Sequence, residues 1–384
     1  MAAARMRCTA PAPALSCGPP RPSPRSEYMN PSSSPSITRA TWQSTADFPE
    51  NEGDSWTFRN GKKIYHGQEL VEKKIRNWNP MSKILVGVPG SKKILPPICQ
   101  NATADAVQFY VKRNTCITLS IFVLLAMVEF FMNQIHPNNM KSKQIYSTTF
   151  ILFLLTGGDY FFYLRKKDWL AERALFFYWL QTSKSYLKGI MLTSALMTGW
   201  GLIQLGLQRF SPDVDLAFNK YGLVYQLFDA GQWWRILSGP YIHNGLLHFI
   251  SNAGMFVFIG ALAYVISPWK SGLVFFFGNI FSAASVLLFA RGNQEALCGI
   301  SGGILAVFMY VCTYMMWHKS DFPKGLGNLL LGICLSSLIL ACFAMPNASN
   351  TAHLAGIVFG LIFFFASTRI ESIAGRKTAE MPRT

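Results

Sequence analysis

From residue 115 to residue 368 the sequence is a succession of eight apolar runs, near 115–135, 145–164, 189–208, 243–266, 271–290, 299–317, 325–345 and 351–368. A helix needs ~20 apolar residues to cross the hydrocarbon core of a bilayer. It must also satisfy its own backbone N–H and C=O groups there, because no water is available to do so. Runs of this length and number leave one fold class, an all-α polytopic membrane protein. Composition agrees: of 384 residues, 51% are hydrophobic and 14% charged, too apolar for a soluble domain of ordinary make-up. The last six runs are treated as a core and the first two as an extra pair of transmembrane helices.

The chain divides by composition. Residues 1–54 read as a disordered or linker N-terminus, 55–113 as a polar, basic cytoplasmic region, and 114–188 as the two extra helices with a basic loop. The core spans 189–368, and 369–384 is a cytoplasmic tail. Residues 1–26 hold four arginines and no acid, as organelle transit peptides do. Their prolines oppose an amphipathic helix, so a misassigned start, with Met29 as initiator, is the favoured alternative. Residues 55–113 form either a small domain or a surface-lying segment.

The net charge is +16. Loop lysines and arginines held on the cytoplasmic side explain it better than nucleic-acid binding does, so no nucleic acid is expected as a partner. With the N-terminus inside, the inner segments 165–188, 267–270, 318–324 and 369–384 carry thirteen Lys or Arg. The outer segments 136–144, 209–242 and 291–298 carry six. This bias predicts both termini inside. The eight cysteines include no CxxC pair, which excludes a disulfide framework and a zinc site. No metal and no cofactor is expected.

Under this topology three polar clusters begin at the same outer face. One is Gly299-Ile300-Ser301-Gly302, a serine among glycines where substrate backbone has room to approach. The second is His353, the histidine of the last run. The third is His243 with His248 and Asn252, the latter two sharing one helical face. They lie roughly 8 and 14 Å below His243 at 1.5 Å per residue. Polar side chains at that depth are costly without partners. A serine hydroxyl is a weak nucleophile and needs a base, for which a neutral His353 is suited. No Asp or Glu stands near to orient it, so the unit is a Ser–His dyad rather than a triad. His248, Asn252 and the Ser301 N–H are candidate donors to a tetrahedral oxyanion. Gly356 and Gly360 form a GxxxG face that lets a neighbouring helix come close.

The extra pair carries Glu129 and Asp159. Each lies ~21 Å along its run, one counted from the inner end and one from the outer, at 1.5 Å per residue. They are therefore poor partners for each other. A misplaced boundary or a protonated, bundle-facing acid accounts for them better.

These residues resemble the rhomboid intramembrane serine proteases over about 189–368. Gly299-Ile300-Ser301-Gly302 is similar to the family's GxSG motif, and Ala352-His353-Leu354-Ala355-Gly356 with Gly360 to its AHxxGxxxG motif. His243, His248 and Asn252 fit HxxxxHxxxN, and Trp234-Arg235 the tryptophan–arginine pair of the first outer loop. The resemblance implies a six-helix rhomboid bundle, preceded here by two extra helices and the polar N-terminal region. It implies Ser301 as nucleophile, His353 as base, and His248 and Asn252, beside Gly299, as the oxyanion and substrate-binding site. Trp234, Arg235, His243, Gly302, Gly356 and Gly360 would be structural. The implied substrates are membrane proteins whose transmembrane segment is helix-destabilised near the cut. One departure is Leu305, where bacterial members place an aromatic residue against the histidine. The expected location is a bacterial inner (plasma) membrane, with a mitochondrial inner membrane as the alternative. The rival function is a non-catalytic rhomboid-like protein that binds membrane helices.

Overall fold

Each of the eight runs is helical over most of its described residues. The computed structural model describes residues 37–44, 48–51, 55–77, 83–135, 153, 156–210, 219–243, 245–291, 295–344 and 349–380. Ser34–Thr368 forms one compact unit.

Within that unit, residues 55–77 and 83–103 carry a small sheet. Strands β1 (Thr57–Asn60), β2 (Lys63–His66) and β3 (Ile84–Gly87) make an antiparallel sheet of order β2-β1-β3. Asn60 pairs with Lys63 across a two-residue turn, in which Gly61 takes φ +60 as tight hairpins require. Helix α1 (Arg39–Gln43) precedes the sheet, and α2 (Gln68–Ile75) lies on it through Val71 and Ile75, four residues apart on one face. Helix α3 (Ala104–Ile135) adds Ala106, Val107 and Val111 to the same core.

The expected run 115–135 thus begins eleven residues earlier. Of the second run, residues 156–165 are helical and 145–152 lie outside the described residues. The segment expected as a basic loop contains instead a helix, α4 (Lys167–Thr182). It buries Leu170, Arg173, Ala174, Phe176 and Leu180. Its charges, Lys167, Asp168, Glu172 and Arg173, fall in its first half, and its second half, Ala174–Leu180, is an unbroken apolar run. Arg173 meets Asp159 at 3.2 Å, which supplies the partner that carboxylate lacked in the sequence. The side chain of Glu129 lies outside the described residues.

The linker expectation also fails over residues 37–44. Trp42 is 1% exposed, stacks edge-on to Phe176 and donates from Nε1 to the Asp321 carbonyl at 2.7 Å. Arg39 donates to the carbonyls of Ser320 and Phe322 and pairs with Glu172 at 2.9 Å. A short helix is marginal alone, so docking on this loop is what holds it.

The core helices are α5 (Lys184–Phe210), α6 (Leu246–Ile266), α7 (Pro268–Phe289), α8 (Ser301–Trp317), α9 (Leu326–Ala344) and α10 (Asn350–Glu380). Among the described residues, five helical segments are long and apolar enough to cross a membrane: Asn101–Val128, Lys184–Leu207, His248–Ile266, Pro268–Phe289 and Asn350–Ile373. The chain is an integral multi-pass membrane protein, and its fold is all-α in the spanning part. α8 and α9 are shorter. α8 is buried along most of its length, from Gly302 to Met315, and packs against α6, α7 and α9. α5 packs on α6. α10, which was expected to end near 368, continues to Glu380.

Candidate active site

Ser301 opens α8 and His353 sits in the first turn of α10. The Ser349 hydroxyl accepts from the Ala352 N–H at 3.3 Å, and its carbonyl accepts from the His353 N–H at 3.1 Å. Such capping satisfies amides that a helix start leaves open. Both side chains are thus carried by defined helix ends rather than by loops. Ser301 Oγ lies 2.7 Å from His353 Nε2, a hydrogen bond between residues 52 apart in sequence. His353 Nδ1 is buried and has no hydrogen-bond partner among the described residues. The pair stands without a third member.

Close backbone approach sets that distance. A Cβ on Gly356 would overlap the carbonyl oxygen of Gly302, and one on Gly360 that of Ala306. The small face of α10 therefore lies directly on the backbone of α8, beginning next to Ser301. Leu305 is buried, 5% exposed, in the core cluster around α8.

The third cluster converges on Gly299. This residue has φ +92, a left-handed backbone that a side chain resists. An added Cβ would stand 2.7 Å from the His248 ring and 3.5 Å from Asn252 Nδ2. His248 and Asn252 therefore line the space just ahead of Ser301. The Gly299 N–H is already used, donating to the Ile242 carbonyl at 2.9 Å. What Gly299 leaves open is room rather than a donor.

His243 is fully buried. Its Nδ1 stands 3.2 Å from the Tyr241 carbonyl, which can only accept, so Nδ1 carries the proton. Nε2 is then the acceptor for Asn252 Nδ2 at 3.2 Å. Among the residues without a motif, Gln204 of α5 brackets the His243 backbone. It donates to the His243 carbonyl at 3.1 Å and accepts from its N–H at 3.2 Å. Trp200 Nε1 donates to the Tyr241 carbonyl at 2.7 Å. The sequence did offer a signal for Gln204, a lone amide in an apolar run, but not its partner.

Trp234 and Arg235 lie in the loop between α5 and α6. Arg235 is 3% exposed, donating to the Gly222 carbonyl at 2.6 Å and to Gln232 Oε1 at 2.8 Å, with its guanidinium over the Trp234 ring. The same loop pairs with the segment ahead of Ser301 through strands β4 (Leu223–Val224) and β5 (Ala296–Leu297). Among the described residues no group of His, Cys, Asp and Glu is arranged to hold a metal ion.

Residues 230–369 match the family described as Rhomboid domain. Over this segment the chain is similar to rhomboid domains. Rhomboid-type serine protease 2 of Emericella nidulans is 32% identical over 135 residues, 34% of this chain and 26% of the relative. Rhomboid protease GlpG of Haemophilus influenzae is 26% identical over 166 residues, 42% of this chain and 84% of the relative. Inactive RHOMBOID-like protein 8 of Arabidopsis thaliana is 26% identical over 102 residues, 25% of this chain and 29% of the relative. The chain thus spans about a quarter of the fungal relative and most of the bacterial one. Relatives named as proteases and relatives named inactive are both present, so the similarity alone does not decide activity in this chain.

Proposed function

We propose that this chain is an intramembrane serine endopeptidase that cleaves transmembrane or membrane-anchored proteins through a Ser–His dyad. The observation that carries the reading is the 2.7 Å contact between Ser301 Oγ and His353 Nε2 at the start of two capped or buried helices. In this reading His353 Nε2 takes the Ser301 proton as Oγ attacks the scissile carbonyl. The oxyanion forms within reach of the Ser301 N–H, His248 and Asn252. Collapse breaks the C–N bond, and His353 returns the proton to the leaving amine. Water, deprotonated by the same imidazole, then hydrolyses the acyl-enzyme and regenerates Ser301.

A transmembrane helix hides its carbonyls in its own hydrogen bonds. Substrates are therefore those whose segment is weakened by helix-breaking residues near the cut, reaching the site laterally between α6 and α9. The proposed orientation is both termini inside, with the site toward the outer face. The proposed membrane is a bacterial inner membrane; import directed by residues 1–26 would place the protein in a mitochondrial inner membrane instead. The second reading, a helix-binding protein without catalysis, is favoured only by the relatives named inactive.

The test is fluorophosphonate labelling of purified membranes, with cleavage of a transmembrane reporter in parallel. Wild type should label and cleave; Ser301→Ala and His353→Ala should do neither while remaining membrane-inserted. Cleavage by a clean Ser301→Ala preparation would refute the dyad. A folded wild type that neither labels nor cleaves would favour the non-catalytic reading.

A further inference from the structure

Asn279 is a polar side chain in the middle of α7, 1% exposed, with no place in any motif. Its amide is fully engaged. Oδ1 accepts from the Gly303 N–H at 3.0 Å, and Nδ2 donates to the Phe275 carbonyl at 3.1 Å. Phe275, whose carbonyl this amide holds, sets its ring edge-on against the ring of Tyr241.

Each contact has a consequence for the site. A helix start leaves its first N–H groups without intrahelical acceptors. In α8 the Ile304 N–H finds the Ile300 carbonyl, whereas the Gly303 N–H finds Asn279. The cap thus comes from a neighbouring helix, two residues beyond Ser301. A planar amide held at both ends cannot rotate, so it fixes the position of the first turn of α8 against α7. Tyr241 extends the connection. Its carbonyl accepts from Trp200 and His243, and His243 in turn holds Asn252. A chain of contacts runs from the Gly303 N–H through Asn279, Phe275, Tyr241 and His243 to Asn252.

We infer that Asn279 is a positioning residue for this site: its amide caps the nucleophile-bearing helix and, through Phe275 and Tyr241, locks that helix in register with the Asn252 side of the oxyanion pocket. The inference rests on the protease reading for its kinetic consequence but not for its structural one. Ser301 is then fixed from two directions, by Gly356 of α10 on one side and Asn279 of α7 on the other. Removing the cap lets the first turn of α8 shift and rotate, which moves Oγ and the Ser301 N–H together relative to Asn252.

The test compares Asn279→Leu, which keeps the volume and removes the hydrogen bonds, with Asn279→Asp and with Tyr241→Leu, which removes the ring against Phe275, in the full-length protein. For a transmembrane reporter, Asn279→Leu should lower kcat about 100-fold and leave KM within about threefold, the pattern of a misplaced reacting group. Asn279→Asp, kept protonated by burial, retains an acceptor and should recover at least about tenfold of that loss. Tyr241→Leu combined with Asn279→Leu should cost little more than the larger of the two single losses, because both act on one chain of contacts. Hydrogen exchange over 299–305 should be at least about tenfold faster in Asn279→Leu, with the far end of α8 unchanged. An unchanged kcat, or fully multiplicative losses in the double variant, would overturn the inference. If wild type itself proves inactive, the protease reading fails. The exchange measurement then decides the structural claim alone: equal exchange in wild type and Asn279→Leu overturns it.

Discussion

Gly356→Ala adds one methyl at the point where α10 rests on α8. The new Cβ would overlap the Gly302 carbonyl oxygen, one residue from Ser301. That oxygen belongs to helical backbone and cannot swing aside, so the helices must part. Ordinary contact demands roughly 1 Å of extra room at this level. Added to the 2.7 Å between Ser301 Oγ and His353 Nε2, such a shift ends the hydrogen bond, which weakens beyond about 3.2 Å. Overpacking of this kind costs about 1–3 kcal/mol of stability, while a 1 Å misplacement of reacting groups costs about 100-fold in rate. Gly356→Ala should therefore lower reporter cleavage about 100-fold with only a modest fall in thermal midpoint. Gly360→Ala meets the Ala306 carbonyl one turn deeper. It should cost similar stability but less activity, because α10 can tilt about the undisturbed contact near His353. The measurement is kcat in detergent and in liposomes, paired with thermal unfolding of each variant. Activity of Gly356→Ala within about threefold of wild type, at an unchanged midpoint, would refute the claim that this backbone contact sets the Ser301–His353 distance.

Gly299→Ala combines a backbone at φ +92 with a Cβ against the His248 ring; the strain of about 1–3 kcal/mol should slow fluorophosphonate labelling of Ser301 without unfolding the bundle, and wild-type labelling kinetics would contradict it. Arg235→Lys cannot reach the Gly222 carbonyl and Gln232 together. It should cost about 1–3 kcal/mol and open the loop over 219–242 to limited proteolysis, whereas unchanged protease resistance would show that the guanidinium fork is dispensable. Trp42→Ala removes a core aromatic and its bond to the Asp321 carbonyl. The loss of about 3–5 kcal/mol exceeds what a five-residue helix can hold, so hydrogen exchange should rise over 37–43 and 318–322; retained protection would place the docking energy in Arg39.

What the sequence made legible follows from how each feature is enforced. A spanning helix is imposed residue by residue, because every apolar position and every backbone group in it faces the same absence of water. Hence the six core runs predict α5 to α10 to within a few residues at most ends. α4 escaped because charge counting reads Lys167, Asp168, Glu172 and Arg173 as loop, and its apolar run, Ala174–Leu180, is far shorter than the ~20 residues a span needs. The sheet of 55–103 escaped because strands of four residues have no periodicity to detect, and their pairing is non-local. The polar residues of the site stood out for the same reason the helices did: Ser301, His353, His248 and Asn252 are conspicuous against Leu and Phe. Asn279 and Gln204 carry the same signal, yet nothing in one dimension says which backbone group each one meets. Distances are set where backbones touch, as Gly356 touches Gly302 and Asn279 reaches Gly303. A glycine or an amide in the sequence marks such a contact, and only the packed helices show that both contacts fall on the first turn of α8.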